Sequence, residues 1–191
     1  MIKVLAIIPA RFGSSRFPGK PLVSIQGKTM IQRVFEQVRQ CPSITAIQIA
    51  TDDLRIAEEG ARFGAQVVMT SPDCASGTDR CAEVLKMEKE AFDLVINVQG
   101  DEPFIRPEQI EELISILIST GADIGTLCRK IELAEDVFNP NVVKCVKSFS
   151  HKALYFSRNP IPFVRGSDPE TWINKAHFFK HIGLYGYKAE V

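Results

Sequence analysis

Ile2 to Ile8 form a near-continuous apolar run, interrupted only by Lys3. A strand of that composition has no face to offer water, so it belongs in the middle of a parallel sheet covered by helices on both sides. The next segment is opposite in character. Residues 9–22 read PARFGSSRFPGKPL, a stretch of turn formers and cations that cannot extend the strand. An apolar strand opening directly into such a loop points to an α/β layout whose strand ends carry ligand-facing connections.

The rest of the chain keeps that rhythm. Met30, Ile31, Val34, Phe35 and Val38 have helical spacing, and Pro42 marks the stop. Residues 44–50 read as a strand, 53–63 as a helix closed by Gly64, and 66–69 as a short strand. A helix is expected over 78–90 and a buried strand over 93–98 (DLVINV). Pro107 stands at a helix start, with Ile110, Leu113, Ile114, Leu117 and Ile118 as its apolar stripe and Gly121 as its end. Beyond residue 122 the alternation changes. Strands are expected at 124–129, 142–147, 153–157 and 182–187, and 159–169 reads as a loop or arm. The expectation is an α/β sandwich over 1–121 followed by a mixed α+β extension over 122–191.

Composition narrows the function classes. Lys and Arg total 23 and Asp and Glu total 23, so the formal net charge is +0, which argues against a nucleic-acid binder or a binder of acidic membranes. The charge is nonetheless uneven: Lys3, Arg11, Arg16, Lys20, Lys28, Arg33 and Arg39 face only Glu36 within residues 1–39. Five cysteines cannot all pair within one chain and contain no C-x-x-C, so reduced thiols in the cytoplasm are expected. No apolar run approaches the ~20 residues that span a bilayer, and the first residues read as a buried strand rather than a signal peptide.

In an open parallel sheet, ligands sit outside the carboxyl ends of the strands. Three unusual segments fall there: 9–20, 70–80 and 99–103. The first combines Gly13, Gly19, Ser14 and Ser15 with Arg11, Arg16 and Lys20, a composition suited to a polyphosphate, with an ordinary βα connection bearing solvated cations as the plainer role. It is neither a Walker A loop, since Pro21 stands where a Ser or Thr would bind magnesium, nor a G-x-G-x-x-G turn. The segment Gln99-Gly100-Asp101-Glu102-Pro103 ends an apolar strand. Neighbouring carboxylates on an extended chain point apart, so one of the two acids is the metal candidate, with helix capping as the plainer role. The segment Thr70-Ser71-Pro72-Asp73-Cys74-Ala75-Ser76-Gly77-Thr78-Asp79-Arg80 is dense in small donors and acceptors and suits base or ribose recognition or a plain N-cap. His151, His177 and His181 lack metal-ligand spacing, and packing or surface roles are their default.

Taken together, IIPARFGSSRFPGKPL, TSPDCASGTDR, VINVQGDEPFI, FNPNVVK, ALYFSRNPIPF and HIGLYGY, in that order, resemble the 3-deoxy-manno-octulosonate (KDO) cytidylyltransferases across essentially the whole chain. The resemblance implies a three-layer sandwich with a mostly parallel sheet of the nucleotide-diphospho-sugar transferase type. It implies formation of CMP-KDO and pyrophosphate from CTP and KDO, for lipopolysaccharide synthesis, with Mg²⁺ as cofactor. On this resemblance Arg11, Ser14, Arg16 and Lys20 hold the CTP phosphates, with Lys20, Arg11 and Asp101 as the catalytic set and Asp101 as the magnesium ligand. Ala10, Thr70, Ser71, Ser76, Gly77 and Thr78 line the cytidine pocket. Gln99, Arg158, Arg165, His181 and Tyr185 approach the sugar acid, and the later mixed region makes a homodimer. No nucleic acid or membrane partner is implied. Two departures stand out. Cys74 replaces a family His, and a thiol is a weaker hydrogen-bond partner. Family members also continue past residue 191 with a late Asp in D-T-P-x-D-L, a second metal carboxylate. A CTP-binding module without catalysis and a cytidylyltransferase for another sugar acid are the alternatives.

Overall fold

The structure is a computed structural model that describes residues 2–13 and 17–191. In chain order its elements are β1 (Val4–Ala10), β2 (Ser24–Ile25), β3 (Lys28–Thr29), α1 (Met30–Val38), β4 (Ala46–Thr51), α2 (Leu54–Arg62), β5 (Gln66–Met69), α3 (Gly77–Met87), β6 (Leu94–Val98), α4 (Pro107–Thr120), β7 (Ile124–Lys130), α5 (Ala134–Phe138), β8 (Lys144–Lys147), β9 (Ala153–Ser157) and β10 (Phe179–Lys188). Short 3-10 turns occupy Lys20–Leu22 and Pro169–Asn174. The chain divides into one unit of residues 1–125 with 184–191, and a second of 126–183.

In the first unit, β5, β4, β1 and β6 lie side by side and parallel, with Leu5 opposite both Ala46 and Val95. Every residue of β1 is buried, as its composition requires. Alternate residues feed the two faces. Leu5, Ile7, Ala50 and Val95 pack with Cys81 and Val84 of α3. Gly186 and Gly125 stand against Leu113 and Leu117 of α4 on the other side. The result is helix, sheet, helix: the three-layer α/β sandwich with a mostly parallel sheet. Local chemistry sets the helix starts. Thr29 caps α1 by accepting from Gln32 N, Asp53 caps α2, and Ser76 with Asp79 forms a capping box on α3.

The expected division at 121/122 gives way to a different one. Residues 184–188 of β10 pair antiparallel with β6, Leu184 opposite Val98, so the last strand returns to the first unit. Long-range pairing of this kind leaves no local mark in sequence. The short hairpin of β2 and β3, the helix α5 and the turn at 169–174 also go beyond the expected elements.

The second unit carries β8 paired with β9, and residue Lys180 of β10 opposite Lys144 of β8. Its core is small: Ile131, Val137, Trp172 and Phe178, with Phe138 and Phe163 rings 5.2 and 5.0 Å from the indole. The indole N–H donates to Ser167 O at 3.1 Å. Replacing Trp172 by Ala removes the centre of this cluster and is expected to cost about 3–5 kcal/mol. Circular dichroism in a urea titration reads the loss, because Trp172 is the chain's single tryptophan and fluorescence disappears with it. Among the described residues no helix is long and apolar enough to cross a membrane.

Candidate nucleotide site

At the carboxyl ends of β1 and β6 the first unit opens a cavity of about 240 Å³. Four pieces of chain build it. Pro9, Ala10 and Arg11 leave β1, and Lys20 and Pro21 begin the following 3-10 turn. Gln99, Gly100 and Asp101 leave β6, while Cys74, Ser76, Gly77 and Arg80 come from the entry to α3. The three segments singled out in sequence therefore converge, as parallel crossover connections require. The N-terminus of α3 adds the positive end of a helix dipole to the wall.

Lys20 Nζ meets Asp101 Oδ2 at 2.6 Å. An ammonium and a carboxylate, both partly exposed, thus face each other inside the cavity. Beside them, burial raises the pKa of Glu102, with the Asp101 charge adding to the rise and Lys20 opposing it. Gly100 lies close against the end of β1: a Cβ there would sit 2.9 Å from Pro9 O and 3.2 Å from Ile31 Cδ1. Gln99 donates from Nε2 to Oδ1 of the buried Asn97 at 2.9 Å, which fixes the side-chain amide at the cavity wall.

The 70–80 segment is ordered by groups that its sequence hides. Arg80 is only 3% exposed; its guanidinium donates to Thr70 Oγ1 and lies 3.3 Å from Asp52 Oδ1. Glu83 accepts from Ser71 N at 2.9 Å and from Cys74 Sγ at 2.9 Å. The Glu83 bond, ahead of burial, raises the Cys74 thiol pKa, so Cys74 acts as a neutral donor. Thr78 Oγ1 and Tyr187 OH are 3.3 Å apart. Of the expected cytidine residues, Ala10, Ser76 and Gly77 line the cavity; Thr70, Ser71 and Thr78 are not in its lining, and they bond to Arg80 through the Thr70 hydroxyl, to Glu83 through the Ser71 backbone N–H and to Tyr187 through the Thr78 hydroxyl. Arg11 and Lys20 also line the cavity, and Ser14 and Arg16 lie outside the described residues. Sequence reasoning misses Arg80, because a charged residue on a polar helix start reads as solvated; only its burial reveals it.

The sugar-acid candidates fall into both units. Gln99 and Tyr185 belong to the first, where the Tyr185 and Tyr187 rings stack 6.3 Å apart. Arg158, Arg165 and His181 belong to the second. Arg158 Nη1 donates to Pro140 O at 2.9 Å, and Arg165 is exposed. His181 Nε2 is 2.9 Å from Thr126 Oγ1, its ring meets Phe156 edge-on, and burial lowers its pKa. Lys144, fully buried, donates to Asn139 O and Val142 O at 2.9 and 2.8 Å, so two cations hold the carbonyls of the Asn139–Val142 turn.

Among the described residues no group of three or more His, Cys, Asp or Glu could hold a metal. The donor set fits Mg²⁺ in one respect: that ion takes one or two protein carboxylates and completes its shell with water and substrate phosphates, and Asp101 supplies one beside the cation-rich loop.

A cavity at the carboxyl edge of a parallel sheet, walled by cations, a helix N-terminus and one acid, defines the chain as a nucleotide-handling α/β transferase. The cytidylyltransferase family profile matches residues 5–191. A 3-deoxy-manno-octulosonate cytidylyltransferase of Cytophaga hutchinsonii is 51% identical over 191 residues, covering 100% of this chain and 76% of the relative. The enzyme of that name from Parabacteroides distasonis is 46% identical over 195 residues, again across 100% of this chain and 77% of the relative. A solved structure of CMP:2-keto-3-deoxy-manno-octonic acid synthetase complexed with CTP superposes with a TM-score of 0.89 at 43% identity, over 99% of this chain and 75% of that one. The chain belongs to the 3-deoxy-manno-octulosonate cytidylyltransferase family. A 4-diphosphocytidyl-2C-methyl-D-erythritol synthase from Anaerococcus prevotii, 13% identical with a TM-score of 0.61 over 99% of this chain and 71% of that one, shares the fold alone.

Proposed function

We propose that this chain transfers the cytidylyl group of CTP to KDO, giving CMP-KDO and pyrophosphate for lipopolysaccharide synthesis in the cytoplasm. The observation that carries the reading is the facing pair Lys20 and Asp101, 2.6 Å apart in the cavity at the sheet's carboxyl edge. In the reaction the anomeric hydroxyl oxygen of KDO attacks the α-phosphorus and loses its proton, while the bond to the β-phosphate oxygen breaks. Negative charge grows on the phosphoryl and leaving oxygens, so fixed cations stabilise the transition state most. Arg11 and Lys20 supply them, with Ser14 and Arg16 of the same loop. Ala10, Ser76 and Gly77 border the base, and the bonds of Thr70 to Arg80 and of Ser71 to Glu83 order the segment that carries Ser76, Gly77 and Thr78. Asp101 would hold Mg²⁺ together with the substrate phosphates, and the ion would supply Lewis-acid charge neutralisation there. Gln99 and Tyr185 in the first unit, and Arg158, Arg165 and His181 in the second, are the residues the family resemblance offers the sugar acid, whose carboxylate explains the demand for cations.

Without ligand, Lys20 and Asp101 neutralise each other. On binding of a magnesium–triphosphate, Lys20 would turn to the anion and Asp101 to the cation, each exchanging its present partner. On β9 the side chains of Leu154 and Phe156, which share one face of the strand, are 64 and 42% exposed and Tyr155 on the opposite face is 59% exposed, an apolar strand that suits pairing of two copies of the chain. All five cysteines are free, and burial pushes Cys41 and Cys81 up to about 12, consistent with inert thiols in a reducing compartment.

Pyrophosphate release with CTP and Mg²⁺ tests the reading. Release is expected with KDO and absent without sugar. CTP binding without release would leave a binding module, and release with sialic acid in place of KDO would reassign the substrate.

A further inference from the structure

We propose that Arg55, in the first turn of α2, is a positioning residue that latches the base of the cation-bearing loop through the ring of Phe12. The inference rests on the reading that this loop holds a triphosphate. Its geometry lies wholly in the first unit. Gly19 N donates to Phe12 O at 2.9 Å, which ties the two ends of the loop together. Gly19 has φ 71, and a Cβ on it would fall 2.9 Å from Phe12 Cε2 and 3.1 Å from Cζ, so the ring occupies the space a side chain would need. Glycine is required here twice over, by the left-handed backbone and by the ring.

The Phe12 ring is also covered by the Arg55 guanidinium, whose Cζ is 3.3 Å from the ring centroid. Arg55 is itself fixed. Its Nε and Nη2 donate to the two carboxylate oxygens of Asp53 at 2.9 and 2.6 Å, and Asp53 caps the helix by accepting from Arg55 N at 3.0 Å. The chain of contacts runs from the start of α2, through a forked ion pair and a cation–π contact, to the closing hydrogen bond of the loop. The residue after Gly19 is Lys20, which reaches Asp101. A base held in this way lowers the ordering cost of gripping a triphosphate, because the ends are already joined before ligand arrives. The guanidinium fork is committed to Asp53, which separates the role of Arg55 from that of Arg11.

An exposed cation–π contact is worth about 2–5-fold in an equilibrium constant. In the ligand-free protein, Arg55→Ala is expected to speed hydrogen exchange at the Gly19 amide by about that factor, leaving the amides of Ala57–Arg62 at their wild-type rates. The dissociation constant and KM for CTP rise by the same factor with kcat unchanged. Arg55→Lys recovers part of the loss, since lysine keeps the charge over the ring but not the fork. Combined with Phe12→Leu, Arg55→Ala adds nothing to the effect of Phe12→Leu alone. Unchanged Gly19 exchange, a fall in kcat at constant KM, or multiplication of the two substitutions' effects would overturn the latch. Failure of the wild-type chain to bind CTP overturns the nucleotide reading instead, and the Gly19 amide then still decides whether Arg55 secures the loop.

Discussion

Alanine in place of Lys20 is expected to lower kcat about 10²–10³-fold, the loss seen when a single preorganised charge or donor is removed from a reacting centre. The fold should be indifferent. Lys20 and Asp101 side chains are 36 and 47% exposed, and an ion pair so open to water contributes about 0–1 kcal/mol to stability. Steady-state turnover with saturating CTP reads the chemistry, and thermal unfolding reads the fold, so the two effects separate. Asp101→Asn should behave alike in turnover and should also weaken the dependence of CTP affinity on magnesium, measured by calorimetry with and without the ion. Turnover of the Lys20 variant within about threefold of wild type would remove Lys20 from the reacting phosphate.

Arg80→Met should act in the reverse way, on the fold first. Arg80 is almost fully buried, and Asp52 Oδ1 makes no hydrogen bond of its own, so the Arg80 charge is what compensates it. Removing one partner of a fully buried pair costs about 3–5 kcal/mol. Asp52 keeps some contact with water, so about 2–4 kcal/mol is expected here, or a fall in Tm of roughly 5–15 °C. Adding Asp52→Asn removes the stranded charge and should return most of the lost stability. CTP affinity should stay low in the double variant, because Thr70 has lost its partner and the cavity wall has lost Arg80. Full recovery of both would show that Arg80 serves stability alone.

Lys20 and Arg80 differ in how far they can be read without coordinates. Lys20 is legible because its role depends on local composition: a cation among glycines, serines and prolines directly after an apolar strand. The same holds for the helix starts, where Thr29, Asp53 and Ser76 cap within three residues of themselves. Arg80 and Lys144 are illegible. Each is charged and sits in a segment that looks solvated. Arg80 is buried beside Asp52, which comes from a different part of the chain. Lys144 finds its carbonyl partners nearby, in Asn139 and Val142, but its burial comes from β9 and β10 pairing on either side of β8. The division of the chain escapes sequence for a related reason. A boundary after α4 follows the change in rhythm, yet residues 184–188 pair with β6, some ninety positions earlier. The cytidine segment is partly legible: its residue types are right for hydrogen bonding, but the Thr70 hydroxyl is taken by Arg80, the Ser71 hydroxyl accepts from Asp73 N while its backbone N–H goes to Glu83, and the Thr78 hydroxyl meets Tyr187 OH.

Sequence alone determined the layered α/β class, the positions of the strand ends and the cation-rich loop, because apolar periodicity, capping and turn chemistry act within a few residues. Only the tertiary structure decided that Asp101 stands 2.6 Å from Lys20, that Arg55 lies over Phe12, and that Arg80 is buried. Those facts depend on which strands neighbour one another, and pairing across the sheet brings together side chains whose separation along the chain carries no record of their contact.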